Sequence, residues 1–199
     1  MTDPQPNNPL LASLEDLIGL SSMVDQELME RSLREFLAMA WSTLEPYTPF
    51  ENTWHIDCLL DHLEAVRKRQ IRDLLINIPP RHAKSRTACV FFPAWVWATS
   101  PWEKFLTASY AEDIAIRDAV YTRLLLRSTW YQSYWGNMFS MLPDLDTKQR
   151  YQNNLGGFRF AAGAGGSIIG EGGDFVLVDD PHNVQRAESV ADREAVIRW

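Results

Sequence analysis

The sequence predicts an α/β fold, with a mostly parallel sheet sandwiched by helices, on three observations. Residues 74–78 (Leu-Leu-Ile-Asn-Ile) and 175–178 (Phe-Val-Leu-Val) are short apolar runs of strand length. They lack the polar alternation of a half-solvated strand, so both faces should be covered. Between them apolar residues recur at helical spacing, the alternation that βαβ connections require.

Residues 1–21 are expected to form a flexible tail, polar and proline-rich over its first nine positions. An N-terminal helical region over 22–70 follows. Ser22 with Asp25 three residues on has a capping-box pattern. Behind it Val24, Leu28, Leu33, Phe36, Leu37, Ala40, Trp41 and Leu44 keep helical spacing, with Glu27–Arg31 and Glu30–Arg34 as i,i+4 pairs. Pro46 and Pro49 break this helix, and Ile56, Leu59, Leu60, Leu63 and Val66 carry a second one.

The core, 71–199, opens with strand 74–78, stopped by Pro79-Pro80. A helix over 84–99 ends at Pro101, and a strand is expected at 104–108. Ser109, with Glu112 as its reciprocal partner, caps a helix running to Arg127. Residues 151–160 read as a hairpin around Asn153-Asn154 and Gly156-Gly157. The glycine-rich stretch 163–173 leads into strand 175–178, and Ser189 with Asp192 starts a last helix.

The 199 residues allow one compact domain with a sizeable core. Hydrophobic residues make up 46% and charged ones 23%, which excludes wholesale disorder. The longest apolar run is broken by Pro93 and too short to cross a bilayer, and no signal peptide opens the chain. Cys58 and Cys89 have no CxxC spacing, as expected of a reduced cytosolic protein.

The net charge of −7 hides an uneven distribution. Residues 1–50 carry eight acids and two bases. Residues 67–86 carry seven bases (Arg67, Lys68, Arg69, Arg72, Arg81, Lys84, Arg86) against Asp73 alone. That local excess can attract a polyanion; a solvated helix end explains Arg67–Arg72 equally well.

Chemistry concentrates in two places. Residues 76–86 (Ile-Asn-Ile-Pro-Pro-Arg-His-Ala-Lys-Ser-Arg) form a strand, a tight loop and a helix start. Phosphate binding needs backbone N–H groups, a cation and a hydroxyl at one helix N-terminus. Lys84-Ser85 fits the last pair of the P-loop pattern, while Ile78 and Ala83 occupy its glycine positions. Strand 175–178 then delivers Asp179 and Asp180 to its C-terminal end, where open α/β sheets bind ligands. In a nucleotide hydrolase the first acid holds magnesium and the second directs the attacking water. A core strand ending in an Asp-Asp-Pro turn is the plain alternative.

Three strings in order resemble the large terminase subunit of tailed bacteriophages and prophages: 79–85 (Pro-Pro-Arg-His-Ala-Lys-Ser), the spaced glycines of 156–170, and 178–181 (Val-Asp-Asp-Pro). The resemblance covers roughly residues 30–199, from the helix containing Trp54-His55 to Ala187-Glu188-Ser189. It implies a P-loop NTPase of the additional-strand type, an ATP- and Mg2+-dependent motor that packages viral DNA. Pro80, Arg81, His82, Ala83, Lys84, Ser85 and Arg86 would form the nucleotide loop, with Lys84 on the β/γ-phosphates and Ser85 and Asp179 on Mg2+. Asp180 stands where most such ATPases have glutamate, and Ala83 where they have glycine.

Glu171 lies at a usually basic position, which leaves Arg81 as the first candidate for charge compensation and Arg159 as the second. Implied partners are double-stranded viral DNA, the small subunit, the portal of the procapsid and further copies in a ring, in the cytoplasm of a bacterial host. No membrane is implied. The family's nuclease domain is absent, so a C-terminally truncated motor is expected. Two rivals stay open: another DNA-dependent, helicase-like P-loop ATPase, and an inactive remnant that only binds partners. Trp54 and His55 are expected to start a helix and pack, with adenine flanking as the rival role; His55 and His62 alone make a poor metal site. Trp95 and Trp97 are expected to be buried.

Overall fold

The computed structural model describes residues 9–164, 166, 172–182 and 188–198. Helix α1 (Pro9–Arg31) is followed by α2 (Leu33–Leu44) and α3 (Trp54–Arg67). Residues 9–21, expected as tail, are helical, and Ser22 lies inside α1 instead of capping it. The working cap comes ten residues later. Ser32 leaves the helix at φ −131° and its hydroxyl accepts from Glu35 N–H, so Ser32–Glu35 breaks one predicted helix into two.

The next helix starts at Lys84. Residues 86–91 are π-helical (Arg86–Phe91), and the helix returns to α geometry in α4 (Phe92–Trp97). Pro93 falls inside this continuous helix, where π geometry gives way to α and a residue without an N–H interrupts the bonding ladder. Strand β1 (Phe105–Ser109), α5 (Glu112–Arg127) and α6 (Thr129–Trp135) follow. Then come β2 (Met141–Asp146), β3 (Arg150–Asn153), β4 (Phe158–Gly163), β5 (Phe175–Asp179) and α7 (Val190–Arg198). The cap expected at Ser109 does not form: Ser109 ends β1, and Ala111 precedes α5 without a side-chain cap. Helix α6 and strand β2 carried no clear pattern in the sequence.

The sheet order is β2-β3-β4-β1-β5. β1 pairs in parallel with both β4 and β5, while β2-β3 and β3-β4 are antiparallel. Residues 74–78 take no regular strand structure, although a strand was expected there. They run beside β5 across a cleft, and Leu75 stands 93% exposed. The sheet's cover is also less even than predicted. Phe105 and Phe175 stack at 4.9 Å and meet Phe92 of α4 edge-on, and α5 packs on the same side through β1 and β4. The opposite side presents Leu106, Ala108, Phe160, Val176 and Val178 beside Val196 and Ile197 of α7, and Val176 remains 61% exposed.

One hydrophobic cluster joins the N-terminal helices to the sheet. Phe36 of α2 packs among Trp130, Tyr131 and Trp135, and Trp41 stacks on Phe91 at 5.6 Å. The indole N–H of Trp95 donates to Met29 O at 2.7 Å, satisfying the polar atom of a fully buried ring. Trp95 and Trp97 are core, as expected. No helix among the described residues is long and apolar enough to cross a membrane.

Candidate functional site

The parallel register aligns three strand ends. Ser109 of β1 faces Asp179 on one side and Gly163 on the other. Asp180 follows at φ 43°, and its carbonyl accepts Tyr110 N–H at 3.2 Å. Opposite this edge the 79–85 loop turns at Pro80 and enters the helix through Arg81 at φ 67° and Ala83 at φ 57°. The described chain has four non-glycine residues at positive φ, and three of them are these. Left-handed backbone costs an L-residue about 1–2 kcal/mol. Such strain gathers where surrounding structure imposes it for function, so the cluster marks this loop and strand end as a site. Ala83 therefore carries the penalty that the missing glycine would have avoided.

Helical bonding begins with Thr87 N–H to Ala83 O at 2.9 Å. The N–H groups of Lys84, Ser85 and Arg86 thus precede any acceptor the helix itself provides. Four side chains converge beside them. Lys84 Nζ lies 3.1 Å from Asp179 Oδ1 and 2.5 Å from Asp180 Oδ1. Ser85 Oγ donates to Asp179 Oδ2 at 2.5 Å. Burial lowers the basicity of Lys84, but hydrogen bonds to Asp180 and Asp179 and the charge of both acids outweigh it, so its pKa is raised. The ammonium stays charged and holds loop and strand together.

Behind Asp179 lies a buried polar group whose Cys89 and Asp118 the sequence did not single out. Ligand atoms of Cys89, Asp118 and Asp179 fall within 4.8 Å of one another. Burial pushes the Cys89 thiol well above its ordinary range, helped by Asp179, so it remains protonated. Burial likewise raises Asp118 against the pull of Arg117 and Arg159. Arg159 is 1% exposed and donates to Cys89 O at 2.7 Å and to the Thr122 hydroxyl. The inward alternation of β4, which sends residue 159 to the same side as Phe105, was the available signal for this placement. A hard cation that prefers oxygen would find its donors in Ser85 and Asp179, on the loop side, and not in the protonated thiol.

Other residues singled out in the sequence stand apart from this cluster. Arg86 pairs with Glu45 at 2.7 Å and lies over the Tyr121 ring, which ties α2 and α5 to the helix start. His82 donates from Nδ1 to Pro80 O at 2.9 Å and meets the His55 ring edge-on at 5.3 Å. Arg81 is exposed at the loop tip. Arg159 serves the buried network, away from solvent. Trp54 does start α3, but it is 82% exposed instead of packed. His62 is exposed and bonds back to Cys58 O. Glu171, Ala187 and 167–170 lie outside the described residues.

The basic cluster is largely consumed by structure. Arg67 donates to Glu30 O and Thr99 and covers Trp95. Arg69 pairs with Glu103 over the Phe175 ring, and Lys68 pairs with Glu64. Lys68 and Arg69 stay about half exposed within these pairs, Arg72 lies beside Asp73, and Arg81 is exposed.

A cleft of about 720 Å³ opens between residues 71–77 and the free edge of β5. Lys84, Asp179 and Asp180 line it at the C-terminal end of β5, Arg69, Arg72 and Asp174 line it as well, and Leu74, Ile76, Phe175 and Leu177 give it apolar wall. Its size suits a small-molecule ligand, with apolar wall between charged groups. No protein-family model and no curated protein matches the chain.

Proposed function

We propose that the chain is the ATP-binding and hydrolysing motor part of a viral DNA-packaging terminase large subunit, with MgATP bound between the Lys84 loop and Asp179-Asp180. The observation that carries the reading is the meeting of Lys84 and Ser85 with Asp179 and Asp180 beside a strained loop. A P-loop fold of the additional-strand type and action on double-stranded DNA belong to the same proposal. So do the small subunit, the procapsid portal, a ring of copies and a bacterial cytoplasm.

The residues divide the work by their chemistry. Lys84 leaves its two carboxylates and neutralises the β/γ-phosphate oxygens, with N–H groups of the first helical turn beside it. Ser85 and Asp179 offer oxygen donors to Mg2+, which when bound screens phosphate charge. Asp180 is released from Lys84 by the same exchange. It then orients a water and takes its proton as the water oxygen bonds to the γ-phosphorus and the bond to the bridging oxygen breaks. Arg81, exposed on the loop, is the group placed to meet charge developing on the phosphate. Positioning and electrostatics supply the rate.

The test is Mg2+-dependent ATP binding and turnover, with and without double-stranded DNA, for wild type, Lys84→Ala and Asp179→Ala. Loss of affinity in the first variant and of turnover in both is expected. Equal nucleotide affinity in all three proteins would remove the proposed site. Absence of turnover in a wild type that folds would favour the inactive binding module instead.

A further inference from the structure

Residues 72–78 have the form of a strand without its bonds. Leu74, Ile76 and Ile78 are half-buried while Leu75 and Asn77 are exposed, the two-residue alternation of an extended chain. Leu74 and Ile76 pack on the core. Yet the backbone of 72–78 forms no hydrogen bond among the described residues. Across the cleft, β5 has one neighbour, β1. Phe175 N–H donates to Lys104 O on that side at 3.0 Å, so by strand alternation the N–H and C=O groups of Val176 and Val178 point into the cleft. Successive residues of β5, from Phe175 to Asp179, line it, so the wall is the strand's backbone edge and not one of its faces. Both walls run the same way: Arg69 donates to Asp174 O at one end, and Ser85 meets Asp179 at the other. A free sheet edge templates a further strand, and here unpaired backbone faces the gap from both sides.

A strand of five residues takes up about 17 Å by about 4.8 Å by about 10 Å, roughly 800 Å³. The cleft measures about 720 Å³. We infer that it is a slot for one extended segment of a partner chain, which lies between β5 and residues 72–78, bonds to both and widens the sheet. The occupant needs both of its edges free. A second copy cannot supply that from its sheet, where β3, β4 and β1 are paired on both sides and β2 and β5 on one. Leu63, Val66, Ala88 and Phe92 line the cleft from the helices, so residues of the occupant that face them are apolar. Val176 and Val178 keep 61% and 49% exposure, so its alternate residues can be polar. Arg72, also lining the cleft, meets Asp73 at 3.9 Å with the two side chains 95% and 92% exposed, a pair that contributes little. An acidic first residue on an occupant parallel to both walls complements it. The walls end where the Lys84 contacts begin, so the strand and a nucleotide use different groups.

The probe is a short blocked peptide, glutamate first and then valine and threonine in alternation, titrated against the full chain in nucleotide-free buffer. It should bind, and hydrogen exchange should slow at Val176, at Val178 and within 74–78, all of which exchange fast in the free chain. Two N-methylated versions, each blocking the N–H groups of one edge, should both weaken binding at least about tenfold. A ligand held by one edge, or by apolar contact alone, would not respond to both. Val176→Pro removes a donor into the cleft, at a sheet edge where proline is tolerated, and should abolish binding with unchanged circular dichroism. Arg72→Glu changes an exposed side chain and should turn the preference toward a lysine-first peptide, a readout that does not depend on how the proline variant folds. No binding, sensitivity to only one methylated version or to neither, protection of 74–78 in the free chain, or dimers of the chain alone lost in Val176→Pro would each overturn the inference.

Discussion

Lys84 contacts two carboxylates, and distance and burial rank them in opposite order. The Asp180 contact is shorter, 2.5 Å against 3.1 Å, and its hydrogen bond does more to raise the lysine's basicity. Yet the Asp180 side chain is 69% exposed, and that of Asp179 only 9%. Water can replace the ammonium at Asp180, so that pair should be worth about 0–1 kcal/mol. At Asp179 little water can enter. Removing the partner of a buried charge costs about 3–5 kcal/mol, and the 19% exposure of Lys84 brings the expected loss down to about 2–3 kcal/mol. The Ser85 hydroxyl still bonds Asp179 and keeps the figure from rising further.

Urea unfolding of Lys84→Ala, Asp179→Asn, Asp180→Asn and the two double variants, in nucleotide-free buffer, gives both coupling energies. Coupling of about 2 kcal/mol to Asp179 and under about 1 kcal/mol to Asp180 is expected. A larger coupling to Asp180 would refute the argument that burial, not contact distance, sets the strength of this cluster. The same asymmetry explains how the site can open: the exposed arm is inexpensive to break, and the buried arm needs an anion to replace it.

Raising Ala83 to φ 57° costs an L-residue what glycine avoids. Ala83→Gly should therefore be neutral to stabilising, by up to about 1 kcal/mol, where alanine to glycine inside a helix loses about that much; urea midpoints decide it. The raised pKa of Lys84 also sets a pH dependence. Its stabilising contribution is complete below the ordinary lysine value of 10.5 and is lost as pH rises through the higher folded value. The stability difference between wild type and Lys84→Ala should accordingly be flat from about pH 7 to pH 10 and shrink above it, as seen by fluorescence-detected unfolding. Gly157→Ala would place a Cβ 1.9 Å from the backbone oxygen of Pro101, which cannot swing aside, and should cost at least about 2 kcal/mol in the same measurement.

Helices α2, α3 and α5 were readable because apolar residues repeat at helical spacing, and strands β1 and β5 because they are short apolar runs between helical stretches. The Lys84-Ser85 and Asp179-Asp180 pairs were readable because strand and helix ends are where such chemistry sits. Helix boundaries failed where two caps competed. Ser22-Asp25 and Ser32-Glu35 carry the same signal, and packing of α2 on Trp130 and Trp135 selects the second. Residues 74–78 show the limit from the other side. Their composition suits a strand, but strand structure needs a hydrogen-bonded neighbour, and β5 lies across a cleft.

Sequence by itself therefore determined the α/β alternation, the buried tryptophans, the two charged pairs and the asymmetry of charge along the chain. These depend on side-chain type and local period. Only the tertiary structure decided that Lys84 bridges both aspartates and that Ala83 is left-handed. It also decided that Arg159 is locked in the interior, that Arg67, Arg69 and Arg86 are drawn into internal pairs, and that apolar residues of α1 from Leu17 to Leu28 face solvent. Each of those depends on which residues distant in the chain meet, and on how much water remains between them.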